Sequence, residues 1–160
     1  GVEVTAETEE EFGHLLRESC EALARSIPAD GEGATHLITI HVRGCRTKED
    51  ARKIAHTVAD SPLVKTAIAG ADPNWGRIVS AAGYADVPFD PERLELRLNG
   101  YLLFSSLRPT SFDEAEISES IRSAKEVCID LSFSEGDAET RFWTTDLTSE
   151  YVRLNADYRT

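Results

Sequence analysis

The stretches LITIHV at residues 37–42 and TKEDARKIAHTV at residues 47–58 decide the fold class. The first is β-branched and strand-length, so it predicts a β-strand. In the second, Thr47 and Asp50 have the spacing of a helix cap, and apolar residues recur behind them at helical intervals. The apolar run 63–68, which follows a proline that ends this helix, predicts a second strand. Because a strand–helix–strand connection closes right-handed, we expect the two strands to be parallel and the chain to be α/β.

A long amphipathic helix is predicted ahead of this unit. Thr8 and Glu11 have the spacing of a capping box, and Pro28 with Gly31 ends the helix. Its apolar positions recur every three or four residues: Phe12, Leu15, Leu16, Cys20, Leu23 and Ile27. An apolar stripe of this kind predicts a packing surface.

The second half of the chain alternates strand and turn signals. Leucines alternate with charged residues at 94–98, and Asn99-Gly100 then predicts a two-residue hairpin into a strand at 101–104. Further along we predict a helix capped by Ser111 and bearing Ile117 and Ile121, a strand at 127–133, a turn at Gly136-Asp137 and a strand at 140–144. Together these elements predict a mixed sheet with helices packed on it.

Composition and motifs exclude several classes of function. With 17 basic and 29 acidic residues among 160, the net charge is −12, which disfavours binding to a phosphate backbone. No apolar run reaches the length of a membrane helix. The three cysteines show no C-x-x-C spacing, and no phosphate-binding loop, nucleophile elbow or metal motif is present, so we expect no metal and no cofactor. A reducing, cytoplasmic setting fits best.

The sequence contains no methionine and begins at Gly1, so we expect it to be a piece of a longer protein.

The densest polar segment, ADPNWGR at 71–77, leads into an apolar helix. Backbone N–H groups at that helix start, together with Arg77, could bind a carboxylate. The alternative is that Asp72 and Asn74 only cap the helix while Trp75 packs in the core.

Two further candidate positions lie elsewhere in the chain. Glu32 stands between two glycines, where a carboxylate could meet a ligand ammonium group or simply remain solvated. The C-terminal tail keeps aromatic and apolar residues to its end, which predicts that it docks on the body. In that case Asn155 and Thr160 either contact a ligand or belong to a segment that is merely packed.

Three separated segments resemble the glutamate N-acetyltransferase family, the bifunctional ornithine acetyltransferases of arginine biosynthesis. They are DGEGAT at 30–35, the stretch from SPLVKT at 61–66 to GADPNWGR at 70–77, and the tail from DLT at 146–148 to NADY at 155–158. The resemblance covers nearly the whole chain. It implies an enzyme of the N-terminal-nucleophile type, which cuts itself into two chains and carries acetyl on a threonine that the cut exposes.

The resemblance places this sequence in the later part of the second chain. The nucleophilic threonine would lie upstream of Gly1, since Thr5 and Thr8 lack the cleavage context, so the chain alone is expected to be inactive. Glu32, Asn155 and Thr160 match substrate-binding positions for N-acetylornithine and glutamate. The roles of Asp72, Asn74 and Arg77 stay open between folding, the chain interface and binding.

The resemblance also implies partners and a division into domains. Residues 1–36 would belong to the catalytic domain, and residues 37–160 would form a C-terminal α/β domain with a docked tail. The first chain and the missing start of the second would complete a hetero-oligomer. A rival hypothesis is a non-catalytic amino-acid-binding or assembly module derived from the family.

Overall fold

The computed structural model describes residues 5–157. Its helices are α1 (Ala6–Ala29), α2 (Lys48–Asp60), α3 (Pro62–Ala69), α4 (Trp75–Gly83), α5 (Glu114–Ser123) and α6 (Ser149–Asp157). Its strands are β1 (Leu37–Cys45), β2 (Glu95–Leu98), β3 (Tyr101–Ser105), β4 (Arg108–Pro109), β5 (Glu126–Ser132) and β6 (Ala138–Thr145). Within the described residues, no helix is long and apolar enough to cross a membrane.

The strands form one mixed sheet with the order β4-β3-β2-β5-β1-β6. Strand β1 is parallel to β5, with Ile40 opposite Ile129, and antiparallel to β6, with Ile40 opposite Phe142. All other neighbouring pairs are antiparallel. The prediction of a mixed α/β sheet is therefore confirmed.

The core lies between one face of the sheet and the helices α2 to α5. On β1 the residues Ile38, Ile40 and Val42 are fully buried, as period-2 alternation requires. Ile54 of α2 and Ile78 of α4 pack against the same cluster. The alternate residues of β1, Thr39 and His41, face α1 across an open cavity on the other side.

The strand predicted at residues 63–68 is wrong, because this run forms helix α3. The Ser61 side chain caps the helix by accepting from the Val64 amide, and Pro62 occupies the first turn, where its missing N–H costs nothing. The buried residues of α3 are Val64, Ala67 and Ile68, which is helical spacing. The parallel partner of β1 is consequently β5, far along the chain.

Two caps also differ from the prediction, although their helices are confirmed. Thr5 is the N-cap of α1, and Thr8 occupies the third position of the reciprocal capping box. Helix α5 is capped by the Asp113 carboxylate in place of Ser111. Both shifts replace one good capping residue by another a few positions away.

The two terminal helices leave their side chains exposed. No residue of α1 is buried in the described chain, and Phe12, Leu23 and Ile27 are each at least 65% exposed. Helix α6 likewise has no buried side chain among the described residues. The docked tail remains a prediction for residues 158–160, which lie outside the described part.

Candidate substrate-binding site

The loop that carries Glu32 lies against the start of α6, which carries Asn155. The Thr148 hydroxyl donates to the Gly33 carbonyl oxygen (2.5 Å) and accepts from the Tyr151 amide (3.1 Å). Thr148 thus caps α6 and holds the loop with a single hydroxyl. The structure thereby brings two of the predicted binding elements together across most of the sequence.

The predicted site residues themselves differ in what they contact. Glu32 is exposed, and its carboxylate has no hydrogen bond or ion pair to the part of the chain described here. The Asn155 side chain donates to the carbonyl oxygen of Tyr151 (2.9 Å). Thr160 lies outside the described residues.

An open cavity of about 560 Å³ adjoins this contact. Its wall is formed by residues 33–35, by Ala69 and Gly70 at the end of α3, and by residues 147–150. Neither Glu32 nor Asn155 lines it.

A buried polar cluster anchors the loop on its other side. Asp146, only 3% exposed, accepts hydrogen bonds from the Thr35 amide (2.9 Å) and hydroxyl (2.5 Å). His36 Nδ1 lies 2.8 Å from Asp146 Oδ2, and Nε2 lies 3.2 Å from the Ile121 carbonyl oxygen. Burial by itself would raise the pKa of Asp146, but the hydrogen bonds from Thr35 and His36 outweigh it and hold that pKa below its ordinary value.

The ADPNWGR segment is tied into the fold by its own side chains. Asn74 caps α4 by accepting from the Arg77 amide (3.2 Å), and it donates to Asp72 (3.0 Å). Arg77 Nη1 donates to the Leu63 carbonyl oxygen of α3 (3.2 Å), and Trp75 stacks on Phe104 with ring centroids 5.4 Å apart. Asn74 is thus the cap that the capping alternative predicts, whereas Asp72 accepts a hydrogen bond from the Asn74 side chain. Trp75 packs against the core while remaining partly exposed.

Two of the three cysteines, Cys45 and Cys128, are at least partly buried, whereas Cys20 is exposed on α1. Burial, with smaller contributions from Glu135 and Asp50, raises the pKa of the Cys45 thiol to about 11. Burial also raises the pKa of Cys128. Both thiols are therefore protonated and unreactive at neutral pH. No cluster of three or more His, Cys, Asp or Glu side chains that could hold a metal occurs within residues 5–157.

The sequence reasoning missed Thr148 and Gly33 as contact residues. The signal for Thr148 was present, because a threonine three residues before Tyr151 at the start of a helical pattern is a typical N-cap. Its second bond, to Gly33, joins residues too far apart in sequence for any local pattern to reveal.

The chain is similar to curated proteins from several organisms. The protein named Arginine biosynthesis bifunctional protein ArgJ from Rhodopirellula baltica is 50% identical over 138 residues, which is 86% of this chain and 34% of that protein. The protein of the same name from Geobacillus stearothermophilus is 42% identical over 151 residues, 94% of this chain and 37% of that one. The chain therefore spans about a third of the length of these relatives.

A solved structure and a family comparison agree with these relatives. The crystal structure of Arginine biosynthesis bifunctional protein argJ from Bacillus halodurans matches with a TM-score of 0.93 and 37% identity, covering 99% of this chain and 75% of that chain. The sequence model of the ArgJ family matches residues 2–160. Since this match extends over almost the entire sequence, the chain belongs to the ArgJ family.

Proposed function

We propose that the chain is the C-terminal part of a glutamate N-acetyltransferase, which moves acetyl from N-acetylornithine to glutamate in arginine biosynthesis. Membership of the ArgJ family supports this, since the similar curated proteins are named as bifunctional proteins of arginine biosynthesis. In this proposal an upstream threonine hydroxyl attacks the acetyl carbonyl, and ornithine leaves with its amine. The amine of glutamate then takes the acetyl group from the threonine ester.

The part of this chain in that reaction is substrate binding. Together, Glu32, Asn155 and Thr160 would hold the amino and carboxylate groups of the bound amino acid. The exposed Glu32 carboxylate, free of ion pairs to described residues, suits this role because a ligand cation need not displace a partner.

Family membership carries the proposed function, and the structural observation that supports the binding role is the hydrogen bond between Thr148 and Gly33. It places the loop of Glu32 beside the helix of Asn155, although the two residues are far apart in the sequence. A single amino acid could then contact both elements at once.

We also propose the division into residues 1–36, part of the catalytic domain, and residues 37–160, the C-terminal α/β domain. The exposed apolar residues of α1 support it, because a longer protein would have surface available to cover them. The partners in this proposal are the first chain and the start of the second, in a hetero-oligomer. A cytoplasmic setting is supported by the three free cysteines, Cys20, Cys45 and Cys128.

An assay of acetyl transfer from N-acetylornithine to glutamate tests the function. It compares this chain alone with the longer protein that includes the upstream region. We expect activity in the longer protein only. Turnover by the 160 residues alone would require a different nucleophile, and inactivity of both would favour an amino-acid-binding or assembly module.

The substitution Glu32→Gln in the longer protein tests the binding role. Because it removes a charge-assisted hydrogen bond, we expect KM for both amino-acid substrates to rise at least about tenfold. Glu92→Gln, at another exposed glutamate, is the matched control and should leave KM unchanged. An unaltered KM in the Glu32 variant would contradict the assignment.

A further inference from the structure

We propose that Thr148 and Gly33 are positioning residues, which lock the Glu32 loop onto helix α6 so that Glu32 and Asn155 bind the substrate as one unit. This inference rests on the proposed function and goes beyond it, because neither residue is assigned there to the substrate.

The Thr148 hydroxyl uses its bonding capacity on both elements. Its proton goes to the Gly33 carbonyl oxygen, and its lone pair accepts the Tyr151 amide of the first turn of α6. A valine at this position has nearly the same shape and can make neither bond. The hydroxyl therefore fixes the loop and the helix start relative to each other.

The contact also requires a residue without a side chain at position 33. Its φ of +70° is in the left-handed region, and a Cβ built there would lie 2.6 Å from the Tyr151 amide nitrogen and 2.9 Å from the Tyr151 Cα. These neighbours are helix backbone, which cannot rotate aside. Only glycine allows the loop to approach α6 this closely, so two independent features enforce the same contact.

The contact continues from the loop to Asn155. Tyr151, whose amide binds Thr148, offers its carbonyl oxygen to the Asn155 amide group (2.9 Å). Asp146, two residues before Thr148, holds Thr35 by two hydrogen bonds, so the loop is attached near the start of α6 while Thr148 and Gly33 fix how closely it approaches the helix. The spacing between Glu32 and Asn155 is then set by Thr148 and Gly33.

Loss of this spacing should affect binding of the two amino acids equally. Both substrates present an ammonium or amide group and a carboxylate to the same pair of residues, whereas the reacting threonine lies elsewhere. The predicted signature is a rise in KM for N-acetylornithine and glutamate by the same factor at nearly constant kcat.

The test compares Thr148→Val, Thr148→Ser and Gly33→Ala in the longer enzyme. For Thr148→Val and Gly33→Ala we expect both KM values to rise roughly fivefold to tenfold, with kcat within about twofold of the unmodified enzyme. Thr148→Ser keeps the hydroxyl and should restore both KM values. Thr57→Val is the matched control, since among residues 5–157 the Thr57 hydroxyl bonds only to Lys53 of its own helix.

Combining Thr148→Val with Gly33→Ala should raise KM no further than either change alone, because both changes break the same contact between the Glu32 loop and α6. An additive effect, unchanged KM values, or a loss confined to kcat would overturn the inference. Gly33→Ala keeps it testable if Thr148→Val does not fold. Failure of the proposed function gives a different result from failure of this inference, because the unmodified longer enzyme would then transfer no acetyl group.

Discussion

Asp146 and His36 are the buried polar side chains of the described residues. A carboxylate removed from water is costly unless hydrogen bonds replace the lost hydration. Thr35 and His36 supply these bonds, and they connect the end of β6 to the start of β1. Asp146 thereby contributes to folding and to the position of the Glu32 loop.

We expect Asp146→Asn to lower the free energy of unfolding of this chain at pH 7 by about 2 kcal/mol. The hydrogen bonds from Thr35 and His36 would then end on a neutral amide and no longer on a charged carboxylate. Since the pKa of Asp146 is depressed in the folded state, its contribution is complete above the ordinary value of 3.8. This stabilising contribution is lost as the pH falls through the pKa that Asp146 has in the folded state. Urea unfolding at pH 7 and at acidic pH measures both effects.

Asp60→Asn provides the control, because Asp60 is 66% exposed and, within the described part of the chain, pairs only with His56 on its own helix. Its effect at pH 7 should stay within about 0.5 kcal/mol. Equal unfolding free energies for unmodified chain and Asp146→Asn at pH 7 would refute the role of the buried carboxylate.

At the scale of single elements, the hairpin between β2 and β3 depends on Asn99 for two separate reasons. Its φ of +49° and that of Gly100, +87°, are the left-handed pair that a two-residue hairpin requires. In addition, its Oδ1 accepts from the Cys128 amide (2.9 Å), and its Nδ2 donates to the Ser120 carbonyl oxygen (3.2 Å). The turn therefore also joins β5 to the end of α5.

The variants Asn99→Gly and Asn99→Ala separate these two roles. Asn99→Gly keeps the turn conformation and loses the side-chain bonds, so we expect a loss of about 1 kcal/mol in the free energy of unfolding. Compared with the glycine variant, Asn99→Ala keeps a Cβ at positive φ without the polar side chain that lets asparagine tolerate this conformation, so we expect a further loss of about 1 kcal/mol. Chemical denaturation measures both, and a glycine variant as stable as the unmodified chain would show that the side-chain bonds contribute nothing.

The sequence predicted those elements whose signal is local. The cap of α2, the apolar stripe of α1 and the Asn99-Gly100 turn are each contained in a few residues. The run 63–68 was misassigned because apolar residues occur in succession in a buried strand and in a short buried helix alike. The Ser61-Pro62 pair both ends α2 and begins α3, and only the second of these signals separates a helix from a strand at 63–68.

The candidate site was less predictable, because its geometry depends on contacts between distant residues. Nothing near Gly33 in the sequence indicates that the backbone of Tyr151 approaches it. Glu32, Asn155 and Thr160 came from the family resemblance, and their role in binding stays a prediction.

At the scale of the whole molecule, the chain presents the exposed apolar stripe of α1. Phe12, Leu15, Leu16 and Leu23 are between 51% and 66% exposed. Contiguous apolar surface of this size promotes association in water. We therefore expect the isolated chain to self-associate as its concentration rises, which light scattering measures directly.

The double change Leu15→Glu and Leu16→Glu should shift the isolated chain toward the monomer. Leu63→Glu is the matched control, because Leu63 is 61% exposed on α3, away from the stripe. A clean monomer at high concentration for the unmodified chain would contradict association through this helix.

The position of β1 in the sheet also governs when the protein can fold. Both of its hydrogen-bonding neighbours lie far along the chain, with β5 beginning at Glu126 and β6 at Ala138. On the ribosome, β1 thus emerges well before either partner and stays unpaired until β5 has been synthesised. Pairings this distant close large loops and slow folding, so β1 stays unpaired for an interval in which a chaperone could protect its apolar face.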